Sequence, residues 1–265
     1  MGASAIRYTV ALMIRPALAH TNGARPQEPW RKLAWARPLE SRYERMPQFG
    51  AQHFSMLVTA IIATGIFMVA AKDLESLGKF DKARRATGWV LGVLGGLWAG
   101  LSLDKKQREV RETLPLHLCD VLRPMMALAL VTGNSYGLQL SIYWGIVLNP
   151  QAIITPDMPY YFEPKWLLIS TYWLFHIVAL AIPMALLASG TKLTWKGFGF
   201  TAVATHAWAI ATLMLNRILG SNYGFLSAHP NGHSVLSIAP WPYNLAIIDV
   251  SLMSVFAAMT YFLKK

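Results

Sequence analysis

The sequence predicts an all-α fold, a polytopic membrane helix bundle with about seven transmembrane helices, and three observations carry that reading. The 265 residues are 54% hydrophobic and only 14% charged, where an ordinary soluble domain carries about 25% charged residues. The apolar residues are gathered into seven blocks, each close to the roughly 20 residues that a helix needs to cross a bilayer. Strict β alternation is absent from those blocks. A backbone facing lipid must satisfy its own hydrogen bonds, which leaves helices as the reading.

In chain order the blocks are 49–71, 87–103, 114–131, 136–154, 164–188, 197–219 and 241–263. Trp89, Trp98, Trp144, Trp166, Trp195, Trp241 and Tyr243 fall mostly near block ends, where amphipathic rings anchor at the membrane interface. Ahead of them, Arg7, Arg15, Arg25, Arg31, Lys32, Arg37, Arg42 and Arg45 sit among Pro16, Pro26, Pro29 and Pro38. The expected organisation is therefore a basic, mostly irregular N-terminal segment over 1–48, with room for an interfacial helix, and a seven-helix transmembrane domain over 49–265. Residues 8–14 are too few, and too closely flanked by Arg7 and Arg15, to span, and a signal peptide ending near Ala17–Ala19 is the weaker reading.

The net charge of +11 does not call for nucleic acid. Its basic residues lie in short loops beside spans, where anionic lipid headgroups attract them. After the third block, Lys192, Lys196, Lys264 and Lys265 share one side and Lys165 holds the other, so positive-inside counting favours a cytoplasmic C-terminus. The eight positive charges of the N-terminal segment argue the other way. The expected location is a bacterial cell membrane.

Seven alternating spans put the loops between helices 2 and 3, 4 and 5, and 6 and 7 on one face under either orientation. With a cytoplasmic C-terminus that face is extracytoplasmic. The unusual residues converge there: LPLHLCD opens the third block at 114–120, NPQ and TPD close the fourth, LNRILGSNYG closes the sixth, and PWPYN opens the seventh. Polar and proline-broken helix ends at one depth suggest a pocket, because broken backbone is tolerated in a membrane where protein or a water-filled cavity satisfies it. Ordinary helix ends are the alternative.

These segments, in this order and spacing, together with a helix carrying His176, resemble the YwaF-like family of integral membrane proteins over roughly residues 114–249. The first two helices and the basic N-terminus carry no such resemblance. A mammalian relative of that family resembles a phospholipid acyltransferase that moves a fatty acyl chain between lipids, using a cysteine in the LPL–LC segment and a histidine on a later helix. Carried onto this sequence, the resemblance implies Cys119 as nucleophile and His176 as its partner.

The residues give their own reasons to consider that pair. Cys119 is the only cysteine, which excludes an intrachain disulfide and a multi-cysteine zinc site. Pro115 suits a first helical turn, so Cys119 is expected near the positive helix end with Arg123 one turn further on, and both favour a thiolate. Judged on residues alone, a small buried hydrophobe is the commoner fate of a lone cysteine, and the resemblance reverses that order. His176 lies mid-block, where an ionisable residue by default faces the bundle interior. It can act as general acid and base, or can fix packing through an interior hydrogen bond.

Around the pair, His117, Asp120 and Arg123 recur at i, i+3 spacing and can form one polar cluster on the third helix. Thr201, Thr205, Thr212 and Asn216 form a stripe on the sixth, read as pocket lining or an oxyanion donor, with interhelical hydrogen bonding as the alternative. Asp249 needs a partner at its depth, for which Arg217 and His206 are the candidates. Asn149 and Tyr223 join the list through the matched segments. His229 and His233 sit in a Pro/Gly loop without an obvious third ligand, so no metal is expected, and His117, His176 and His206 offer no fixed facing pair for haem. Neither a GxGxxG nor a phosphate-loop motif is present.

Two function classes follow. One is an acyltransferase working through a Cys119 thioester with His176 as acid and base, with membrane lipids as donor and acceptor and no cofactor. The other is a non-enzymatic transporter or lipid-binding protein using the same polar cavity, which a broken fourth helix also suits.

Overall fold

The computed structural model describes residues 43–102 and 110–264. Most of the basic 1–48 segment, with its proposed interfacial helix, lies outside the described residues. Helices fall in all seven predicted blocks. They are α1 (Ala51–Ser76), α2 (Phe80–Ser102), α3 (Leu118–Thr132), α4 (Ser135–Tyr143), a π-helical turn (Trp144–Leu148) running into α5 (Asn149–Ile154), α6 (Lys165–Ala188), α7 (Trp195–Leu219) and α8 (Tyr243–Leu263). Among the described residues β pairing is limited to an isolated bridge between Arg45 and Pro159.

Four helices, α1, α6, α7 and α8, are long and apolar enough to cross a membrane. The other three predicted blocks hold α2, α3 and the interrupted α4–α5 stretch. Helix and apolar block differ in extent for a physical reason: a helix continues in water after its hydrocarbon-matched part has ended. Thus α1 runs on through Lys72, Asp73 and Glu75, and α2 starts at Phe80 with Asp81, Lys82, Arg84 and Arg85 in its first turns.

Helix α3 begins at Leu118, later than its apolar block, because Leu114–Leu116 form a tight turn in which the Leu116 N–H donates to the Leu114 carbonyl at 2.8 Å. It ends on Gly133, whose φ of +73° costs glycine little, and the Asn134 side chain then caps α4 by accepting from Gly137 N–H at 2.9 Å.

Packing fixes α4 and α6 at the centre. Trp144, Tyr143, Leu140 and Ile142 are at most 2% exposed and join Leu122, Met126, Phe175 and Phe256 in the main apolar cluster. Gly145 lets the π-turn lie directly on α6: a Cβ there would strike the Ala179 carbonyl and the Pro183 ring. Pro183 has no N–H to offer that carbonyl, so α6 is irregular at this contact. Polar ties complete the frame. Gln139 Oε1 accepts from both the amide (2.7 Å) and hydroxyl (3.0 Å) of Thr194, and the Tyr143 hydroxyl meets Thr260 at 2.6 Å.

Candidate functional site

A cavity of about 640 Å³ lies among α3, the π-turn, α5, α6, α7 and α8. Its walls include residues from the 2–3, 4–5 and 6–7 connections, among them Leu114, Asp157 and Leu236. The three connections also bond to one another. Leu114 N–H donates to the Tyr223 hydroxyl at 2.8 Å, Gln151 Nε2 donates to Ser234 Oγ at 3.0 Å, and Gly224 N–H donates to His117 Nδ1 at 3.3 Å. The polar helix ends therefore meet on one face.

Cys119 and His176 both line this cavity. Cys119 is the second residue of α3, in the first turn, where amide groups have no partner within the helix and the dipole is positive. It is a free thiol of intermediate burial. Arg123, one turn on, is bonded to Asp120 at 3.2 Å and lies over the Phe175 ring at 4.0 Å from its centroid. Its charge is thus shared with Asp120 and not directed at the thiol alone, which tempers the activation that spacing suggested.

His176 is 4% exposed. Its Nδ1 lies 2.7 Å from the Tyr172 carbonyl. A carbonyl oxygen only accepts, so the ring proton resides on Nδ1 and Nε2 keeps a free lone pair. Nε2 is buried and has no hydrogen-bond partner among the described residues. The Tyr172 ring packs on the imidazole with centroids 4.1 Å apart, and its hydroxyl donates to the Ala152 carbonyl at 2.7 Å. Asn149, 2% exposed, lines the same cavity, donates Nδ2 to the His176 carbonyl at 2.8 Å and leaves Oδ1 without a partner. Among the described residues, two buried acceptors without partners thus line the same cavity as the thiol, open to a group that brings its own hydrogens.

Of the remaining sequence candidates, His117, Asp120, Arg123 and Asp249 line the cavity. Asp249 is bonded to His206, at 3.1 Å. Asn216 and Tyr223, both buried, are engaged with each other and are not among the residues that line this cavity. Asn216 accepts from Tyr223 N–H at 2.9 Å and donates back to its carbonyl at 2.9 Å, while the Tyr223 hydroxyl donates to Val110 O at 2.6 Å. They brace the 6–7 connection. The threonine stripe is buried, and Thr205 serves both readings: its Oγ1 accepts from Trp144 Nε1 at 2.9 Å and the residue lines the cavity.

Sequence reasoning passed over Tyr172, whose position one turn before His176 on the same helix was the available signal. It also passed over the strap at 43–48. There Arg45 bonds Asp157 at 2.6 Å and Glu112 at 3.0 Å, and both carboxylates line the cavity. Among the described residues no group of three or more His, Cys, Asp or Glu is placed to hold a metal ion.

The TMEM164 family model matches residues 48–260. An uncharacterized protein of Treponema pallidum (strain Nichols) is 26% identical over 185 residues, covering 69% of this chain and 76% of that protein. No solved structure matches.

Proposed function

This chain belongs to the TMEM164 family, and we propose that it is a membrane-embedded acyltransferase with seven crossings that moves a fatty acyl chain between lipids through a Cys119 thioester. The site then sits nearer the extracytoplasmic face of a bacterial membrane, as the lysine distribution favours. The observation that carries the reading is the unpartnered Nε2 of buried His176 in the same cavity as the protein's lone thiol. Buried ring nitrogens are mostly hydrogen-bonded, so a ring nitrogen left open among the described residues and facing a cavity supports a role toward a bound group.

In the first half-reaction His176 Nε2 takes the Cys119 proton and Sγ attacks the ester carbonyl of a donor lipid. The tetrahedral intermediate expels the glycerol oxygen, the C–O bond breaks, and Nε2 returns the proton to the leaving alkoxide. The products are an acyl-thioester and a lysolipid. In the second, an acceptor hydroxyl gives its proton to Nε2 and its oxygen attacks the thioester carbonyl. The C–S bond then breaks and Sγ recovers the proton. The amide end of α3 provides a positive pole for the oxyanion of both intermediates. Asn149 Oδ1 is placed to accept from a substrate donor.

A lipid-like thiol-reactive probe added to membranes tests the reading. Fast modification of Cys119 that slows in His176→Ala supports it. Equal, slow modification of both proteins, with lipid binding intact, favours the transporter or lipid-binding alternative.

A further inference from the structure

We propose that the gap between α7 and α8 is a side door through which the acyl chain of a bilayer lipid enters the cavity. This deepens the acyl-transfer reading and rests on it for the chain's destination.

Helix α8 is anchored at its ends and loose between them. At its start Asn244, 1% exposed, donates to the Leu236 carbonyl at 2.9 Å. Toward its other end Phe256 packs on Tyr143 with ring centroids 4.9 Å apart, and Thr260 bonds the Tyr143 hydroxyl. From 245 to 255 no residue of α8 is buried. That loose stretch is the one that lines the cavity. On helix α7 the buried Thr205 is tied to Trp144 of the π-turn, whose Nε1 donates to its Oγ1 at 2.9 Å.

The frame of the opening consists of residues that face both ways. Ile210 on α7 and Ile247 on α8 line the cavity, yet are 61% and 44% exposed. Val235 and Ile238 of the 6–7 connection also line it, at 65% and 64% exposure. The lower edge is the bond between His206 and Asp249, whose side chains are each 49% exposed. It ties the two helices one turn below Ile210. His206 Nδ1 also faces the Ala202 carbonyl at 2.8 Å, so both ring nitrogens face oxygen atoms.

The occupant follows from chemistry. Helices α7 and α8 are both long and apolar enough to lie in hydrocarbon, and a charged or water-soluble acyl carrier would meet only isoleucine and valine at the sides and top of this opening. An acyl chain fits them. The polar sill suits the ester region that follows the chain, since a half-exposed ion pair at membrane depth gains from a polar neighbour.

The test uses full-length protein in phosphatidylcholine vesicles containing a phosphatidylcholine with a terminal diazirine on one acyl chain. After irradiation, adducts are mapped by mass spectrometry. The door predicts adducts on the cavity-side residues Leu213 and Leu252, and their loss in Ile210→Trp, which fills the opening from an exposed position where a larger ring is tolerated. Adducts on outward-facing Val203 remain unchanged. Adducts on Val203 alone, or on Leu213 and Leu252 undiminished by Ile210→Trp, overturn the door. Acylation of Cys119 in the same vesicles is scored separately: door adducts without acylation retain the door and refute the transfer chemistry, and acylation without door adducts does the reverse.

Discussion

His176 donates from Nδ1 to the carbonyl of Tyr172, one turn earlier on α6, at 2.7 Å. That single contact fixes which ring nitrogen is left to do chemistry. It also makes a definite prediction for His176→Ala: both half-reactions slow by on the order of 10²–10⁴, the usual worth of a positioned acid–base group. Lipid binding, followed by retention of a labelled lysolipid, stays close to wild type. A loss of binding as large as the loss of rate would assign His176 to the binding surface instead.

Gly145→Ala tests how the cavity floor is held. The added methyl meets the Ala179 carbonyl and the Pro183 ring, and backbone cannot step aside as a flexible side chain can. A cost of about 1–3 kcal/mol is expected, as for other overpacked contacts. Because Asn149 follows four residues later and bonds the His176 carbonyl, activity should fall along with the thermal midpoint in detergent. An unchanged midpoint would show that the π-turn is free to move away from α6.

Arg45 links the strap to two carboxylates at the cavity wall, Asp157 and Glu112, whose side chains are 3% and 9% exposed. Arg45→Ala removes the shared cation from both carboxylates, although Asp157 still accepts from Asn231 N–H at 2.8 Å, and should destabilise by on the order of 3 kcal/mol, as removal of one partner from a mostly buried ion pair does. Arg45→Lys keeps the charge but lacks the fork that reaches two acceptors, so it should recover only part. Thermal unfolding of the three proteins in one detergent orders them. Equal stability of Arg45→Ala and wild type would mean that the strap bears no load.

Much of the helical architecture was legible because apolar residues gathered into blocks of helical length, four of which form helices long and apolar enough to cross a membrane. Seven apolar blocks became seven helical stretches, and the loops expected on one face do meet there through Leu114, Gln151 and Gly224. What was not legible depends on where backbone lands in three dimensions. The tautomer of His176 is set by a carbonyl, and Asn149 reaches the His176 carbonyl across two helices. The Asp120–Arg123 pairing that i, i+3 spacing suggested is formed, whereas the Phe175 ring under Arg123 comes from another helix and had no signal in the local spacing. The stripe and the matched segments singled out Asn216 and Tyr223, but not the mutual hydrogen bonds through which Asn216 holds Tyr223. Asp249 pairs with His206, one of its expected candidates, at 3.1 Å.

The central claim is that Cys119 carries the acyl group, and intact-mass measurement of the protein after incubation with a donor phospholipid, with no acceptor added, tests it most directly. The account predicts a mass increase equal to one acyl group, removed by hydroxylamine and absent from Cys119→Ala. That variant should fold as well as wild type, since a methyl replaces the thiol with little loss of packing. An unmodified wild-type mass, or an adduct that persists in Cys119→Ala, would contradict the covalent mechanism.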